Sequence, residues 1–145
     1  MEGYTTKEMR RFNYLLSETD AAYHEAALRL GMSDSTMQVL YAICNNGDSC
    51  PLSEICSQSG ISKQTINSAL RKLEGDGIIY LEASGGRKKR VCLTDKGRVL
   101  AEGTVVKLIE IENGILESWP REDVERYLEL TRKYLTAFKE KIQEL

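Results

Sequence analysis

Residues 53–77 constrain the fold more than any other stretch, because two short apolar periods stand there on either side of one glycine. Ser53 to Ser59 reads as a short helix and Gly60 as a tight turn. A second helix then starts with Ser62 as N-cap and ends at the Gly75 to Gly77 pair. Two short helices joined in this way predict a helix-turn-helix. In the second helix Ile66, Ala69, Leu70 and Leu73 recur at helical spacing and form the inner stripe. With the cap Ser62, this leaves Lys63, Gln64, Thr65, Asn67, Ser68, Arg71 and Lys72 for the outer faces, with no carboxylate before Glu74. Hydroxyls, amides and cations in this density suit the edges of bases and phosphate oxygens.

Beyond the second helix, Ile78 to Glu82 reads as a strand, Ala83 to Arg90 as a glycine-containing basic loop, and Val91 to Leu93 as a short return strand. The tip reads SGGRKKR and places Arg87, Lys88, Lys89 and Arg90 in succession. Helix, short helix, glycine turn, polar helix and basic hairpin form the pattern of a winged helix-turn-helix. An α-helix fits the major groove of DNA, and a loop of cations reaches the neighbouring backbone or minor groove. The bland reading of the same residues is a solvated amphipathic helix beside a basic hairpin. Net charge separates the two poorly if taken globally, at −2. Ser62 to Thr94, however, carries seven basic against three acidic residues, a local +4, so the other 112 residues sum to −6. Such asymmetry predicts one basic face on an acidic body, and a polyanion responds to the local field.

The flanks are helical. Thr5 to Leu30 has Met9, Phe12, Leu15, Leu16, Ala22, Tyr23, Ala26 and Ala27 in a 3.6-residue rhythm, with Thr5 and Glu8 at capping-box spacing and Gly31 as the stop. A second helix is expected from about Asp34 to Asn46, capped by Ser33 or Asp34, followed by a polar link to Pro51. Thr94 caps a helix through about Ser118, in which Gly103 and Gly114 argue against a straight course. A last helix follows Pro120, with Val124, Tyr127, Leu128, Thr131, Leu135, Phe138, Ile142 and Leu145 along one side. These end helices carry more apolar surface than a small winged core needs, which predicts pairing with a second subunit. The expected fold is mostly α with a small β-hairpin, a winged helix-turn-helix flanked by N- and C-terminal dimerisation helices. Residues 1–145 are read as one domain, with the DNA-binding lobe at 33–94 and the dimerisation helices at 1–32 and 95–145.

At 145 residues the chain is long enough to bury a core without staples. Its uncharged apolar runs fall far short of the roughly 20 residues a membrane helix needs. The segment from Met1 to Arg11 is polar and shows no signal or lipidation motif, so a cytoplasmic protein that does not engage membranes is expected. A single histidine, His24, excludes a His-rich zinc site, and no nucleophile-base pair or phosphate-cradling loop assembles, so neither catalysis nor a cofactor is expected. Cys44, Cys50, Cys56 and Cys92 show no CxxC spacing. Cys44 and Cys56 are expected in the core and Cys50 exposed in the loop GDSCP, with Asp48 raising its pKa. His24 reads as a surface or satisfied histidine, and Tyr14, Tyr41 and Trp119 as core aromatics.

The stretch LSEICSQSGISKQTINSALRKLEGDGII, the wing, and VCLTDKG opening a long helix together resemble the MarR family of bacterial transcriptional regulators. The resemblance extends over nearly the whole chain. It implies a homodimer of winged helix-turn-helix subunits on a pseudo-palindromic operator in double-stranded DNA. It further implies a transcriptional repressor released by a small-molecule effector, and in some relatives thiol oxidation. One departure stands in the wing, where the family often carries an Asp two positions before an Arg. Here Gly85 precedes Arg87, which leaves Lys88, Lys89 or Arg90 to take over its role. Two rivals remain beside this reading, a winged module for an acidic protein partner and a thiol-based redox-sensing regulator. No ligand-binding residues are assigned.

Overall fold

The computed structural model describes residues 3–145; residues 1 and 2 of the expected N-terminal segment lie outside the described residues. Helix α1 (Lys7–Arg29) starts one residue later than capping-box spacing suggests, because Thr6, not Thr5, accepts the Met9 N–H. Helix α2 (Asp34–Asn45) is capped by Ser33, whose Oγ accepts from the Thr36 N–H at 3.2 Å. Strand β1 (Ser49–Pro51) lies within the expected polar link and leads directly into α3 (Leu52–Ser59). Gly60 then takes a left-handed conformation, φ 65°, which a side chain would strain. Helix α4 (Lys63–Gly75) follows, then strands β2 (Ile79–Ala83) and β3 (Lys89–Leu93).

The sheet has the antiparallel order β1-β3-β2, with Cys50 opposite Val91 and Leu81 opposite the same residue on the other side. β3 begins two residues before the expected Val91, so Lys89 and Arg90 belong to the sheet and not to the loop. Pairing with β2, joined at Arg90 by β1, extends β3 beyond what its own residues specify.

The expected helix from Thr94 to Ser118 is broken. Helix α5 (Asp95–Gly103) ends at Thr104, with φ −130° and ψ −92°, and α6 (Val105–Glu117) resumes. Gly103 is a poor helix former, and the Thr104 hydroxyl bonds the Leu100 carbonyl at 2.7 Å, competing with the helical ladder. Helix α7 (Arg121–Lys141) follows Pro120 and closes with a short 3-10 turn, Ile142–Glu144.

The chain divides into two compact units, the first ending at Leu108 and the second comprising Ile109–Leu145. In the first, α2 is the central element, in contact with α1, α3, α4, β1 and β3. Its Val39, Leu40 and Ile43 are fully buried with Ile55, Ile66, Val91 and Val105. Each such side chain contributes about 1.5–3 kcal/mol of burial. In the second unit Trp119 meets Tyr127 edge-to-face at 5.7 Å, while α7 buries no residue. Tyr41 packs on the core of the first unit as expected, but Tyr14 and Trp119 are not core residues of the single chain. No helix among the described residues is long and apolar enough to cross a membrane.

Candidate nucleic-acid interface

The packing of α4 decides what it presents. Ile66, Ala69, Leu70 and Leu73 are buried as the spacing predicts, so the helix is oriented by its apolar stripe. Lys63, Gln64, Thr65, Ser68 and Arg71 are exposed, and Asn67 is half-buried. Ser62 Oγ accepts from the Thr65 N–H at 3.2 Å and lies 2.8 Å from the Thr65 hydroxyl, while Ser68 Oγ donates to the Gln64 carbonyl. These three hydroxyls therefore hold the first turns of α4 and retain acceptor lone pairs for a ligand. Lys72 stands apart: it lines a cleft with Lys96 of α5 near the C-terminal end of α4.

The wing tip spans Ser84 to Lys88. Gly85 at φ 109° and Gly86 at φ 58° make the turn, closed by Lys88 N–H to the Gly85 carbonyl and Ser84 N–H to the Lys88 carbonyl, both 3.0 Å. Arg87, Lys88 and Lys89 are exposed, and none joins an ion pair among the described residues. Arg90 is half-buried and donates Nε and Nη2 to Ser49 Oγ at 3.2 and 2.9 Å. It ties the wing to β1 across the sheet, a role that requires Ser49, which sequence reasoning left unassigned. The signal for it, Arg90 opposite Pro51 and next to Ser49, exists only once β1 and β3 are paired.

The base of the wing is held by Thr94. Its Oγ1 donates to the Gly77 carbonyl at 2.6 Å and accepts the Gly97 N–H at 2.9 Å, capping α5 against the turn after α4. Lys96 Nζ donates to the Asp76 carbonyl at 2.9 Å, and Arg98 pairs with Asp48 at 3.0 Å. Helix α4 and the wing thus stand on one framework, and their polar groups can meet a polyanion together.

Cys44 and Cys56 pack against the core as expected, whereas the expected exposure of Cys50 is overturned. Cys50 is fully buried, because its strand pairs with β3, and its sulfur accepts from Asn46 Nδ2 at 3.4 Å. Burial pushes the Cys50 thiol pKa up, with Glu54 adding to the rise and Arg90 opposing it. Asp48 acts instead on Cys44, whose pKa is raised first by burial. Cys92, also buried, is raised by burial and by its contact with Glu82. Raised pKa values leave these thiols protonated near neutral pH and poorly nucleophilic. Iodoacetamide at pH 7.5 is therefore expected to modify Cys44, Cys50 and Cys92 at least about tenfold more slowly in the native protein than in urea, as read by mass spectrometry at each site. Equal rates would contradict the burial. His24 is exposed and bonded to Asp34 through Nδ1 at 2.9 Å. No cluster of three metal-ligating side chains occurs among the described residues.

Residues 30–90 match the model of the MarR family. No curated protein matches the chain. Among solved structures, NMB1585, a MarR family regulator from Neisseria meningitidis, is 16% identical with a TM-score of 0.83 over 96% of this chain and 99% of that one. MepR of S. aureus, solved with DNA, is 20% identical with a TM-score of 0.65 over 94% and 99%. BpsR of Bordetella bronchiseptica, whose DNA binding is regulated by 6-hydroxynicotinic acid, is 19% identical with a TM-score of 0.63 over 86% and 98%. At these identities the likeness is one of fold.

Proposed function

We propose, on the premise that this chain belongs to the MarR family, that it is a sequence-specific regulator of transcription acting on double-stranded DNA. The observation that carries this reading is the exposed face of α4, where Lys63 to Lys72 includes no carboxylate, standing on one framework with the unpaired cations of the wing. Gln64, Thr65, Asn67 and Ser68 read base edges in the major groove. Lys63, Arg71, Arg87, Lys88 and Lys89 neutralise phosphates, and Arg90 holds the wing in place. The protein works without catalysis, in the cytoplasm, as a homodimer whose two-fold axis sets two copies of α4 about 34–36 Å apart on a pseudo-palindromic operator. Its outcome is repression, relieved when an effector favours a spacing of the two α4 helices that no longer fits successive grooves. BpsR, whose DNA binding responds to a small aromatic acid, is support of the same kind for a fold of this type.

Selection of bound sequences from a random duplex pool tests the proposal. A defined, inverted-repeat consensus is expected; retention of an acidic protein with no duplex preference would point instead to a protein-binding winged module. On the selected duplex, Gln64→Ala and Asn67→Ala are each expected to lose about 1–3 kcal/mol and relax the preference at particular positions. Arg87→Ala with Lys88→Ala is expected to weaken all duplexes alike and to reduce the slope of log K against log salt by about 0.9 per lost phosphate contact. An unchanged consensus in the first pair, or an unchanged slope in the second, removes that element from the interface.

A further inference from the structure

The first turns of α4 carry two side-chain amides, Gln64 and Asn67, three positions apart. On a helix that spacing puts both on one face, with Cβ atoms about 5–6 Å apart. Bases along a DNA strand rise by about 3.4 Å each, so the two amides match base pairs one or two steps apart. The buried stripe of Ile66, Ala69, Leu70 and Leu73 holds the other side of α4 on the core, which leaves Gln64 exposed and Asn67 half-buried. No hydrogen bond engages either amide among the described residues. Each therefore keeps both its donor and its acceptor for a ligand.

The neighbouring groups are less free. Ser68 Oγ donates its hydrogen to the Gln64 carbonyl at 3.1 Å, so it offers a base only acceptor lone pairs. The Thr65 hydroxyl shares a hydrogen bond of 2.8 Å with Ser62 Oγ at the N-cap. Between Lys63 and Arg71 the helix has no charged residue. Arg71 stands seven positions after Gln64, about 10 Å further along the axis. In helix-turn-helix docking the N-terminal residues of the second helix meet the base edges, which leaves Arg71 to the phosphates. The reading face thus lacks, at its middle, the guanidinium that pairs guanine O6 and N7 bidentately.

We propose that Gln64 and Asn67 each read an adenine, which makes the two base pairs beneath the start of α4 A·T pairs. Among the four bases only adenine presents a donor beside an acceptor on its own major-groove edge, the N6 amine beside N7. An amide NH2 donates to N7 while the amide carbonyl accepts from N6. Guanine presents two acceptors, O6 and N7, so the amide carbonyl would face a lone pair and go unpaired. Ser68, with only an acceptor to offer, likewise meets an exocyclic amine and not guanine. The assignment rests on the DNA-binding function proposed above and adds which bases that function selects.

Fluorescence anisotropy of the full chain on the selected duplex tests it, with each adenine of one half-site replaced in turn by 7-deazaadenine. That base keeps its pairing and its N6 amine and lacks the N7 acceptor. Two positions are expected to lose about fivefold in affinity, the worth of one hydrogen bond. The loss at one is expected to vanish in Gln64→Ala and the loss at the other in Asn67→Ala, whereas both persist in the wing variant Lys88→Ala. Exchanging either A·T pair for G·C is expected to cost about 5- to 150-fold. Circular dichroism checks that the variants remain folded; Gln64 is exposed, so Gln64→Ala judges the assignment on its own should Asn67→Ala unfold. A consensus with G·C at the positions these variants relax overturns the adenine assignment and leaves the DNA function standing. Deaza losses that are absent, or that persist in both variants, do the same. A loss tied to Gln64 alone, with Asn67→Ala folded, removes Asn67 from the pair. If no duplex is selected, the DNA function fails and the adenine assignment with it.

Discussion

Gly97→Ala is expected to destabilise the protein by about 3 kcal/mol or more, the upper range for overpacking, because the added methyl has nowhere to go. A Cβ at position 97 would overlap the backbone carbonyl oxygen of Ile78, with the Ile78 Cγ2 only 3.3 Å away. The obstacle is main chain at the entry to β2, and it cannot swing aside as a side chain could. Relief requires α5 to move off the turn after α4. That movement would break the Thr94 bonds to Gly77 and Ile78 and the Lys96 bond to Asp76. Urea unfolding followed by circular dichroism at fixed protein concentration measures the effect. Gly103→Ala is the control: nothing lies within 4 Å of its Cβ, and it is expected to be neutral or to stabilise by up to about 1 kcal/mol. Native-like stability of Gly97→Ala would mean that α5 does not dock on Ile78 so closely.

The second large effect is expected on assembly. In the single chain, α7 leaves Leu128, Leu135 and Phe138 about half exposed, at 53%, 49% and 52%, with Tyr134 stacked on Phe138 at 6.0 Å. An apolar stripe of this length on a charged helix is costly in water, and a partner subunit is the cover proposed for it. Full burial of such a side chain is worth about 1.5–3 kcal/mol, so covering the remaining half of Leu135 and Phe138 is worth about 0.8–1.5 kcal/mol each, and two-fold symmetry counts each residue twice. Leu135→Asp with Phe138→Asp is therefore expected to lose more than about 3 kcal/mol of association energy, over a hundredfold in Kd, enough to convert a micromolar dimer into a monomer at micromolar concentration. Sedimentation equilibrium reads the change, and affinity for the selected duplex is expected to collapse with it. A variant that still sediments as a dimer would place the interface elsewhere, and a monomeric parent chain would remove the dimer altogether.

Much of the putting together of α4 is local, and it is therefore legible in the sequence. Ser33, Ser62 and Thr94 cap their helices through bonds that span three residues. Gly60 turns the chain where a left-handed residue is required, and the 3.6-residue spacing of Ile66, Ala69, Leu70 and Leu73 already orients the polar face of the helix. Tertiary structure decided the features that depend on distant partners. The three residues of β1 form a strand only because β3, some forty positions later, supplies their hydrogen bonds. That same pairing buries Cys50 and draws Arg90 from the wing to Ser49. Likewise, Lys72 belongs by periodicity to the outer faces of α4, yet only the approach of α5 and the first turn of α2 brings it to a cleft with Lys96. Local sequence sets the period and the caps within a helical turn or two. Which groups meet across the core is set by the packing of elements far apart in the chain.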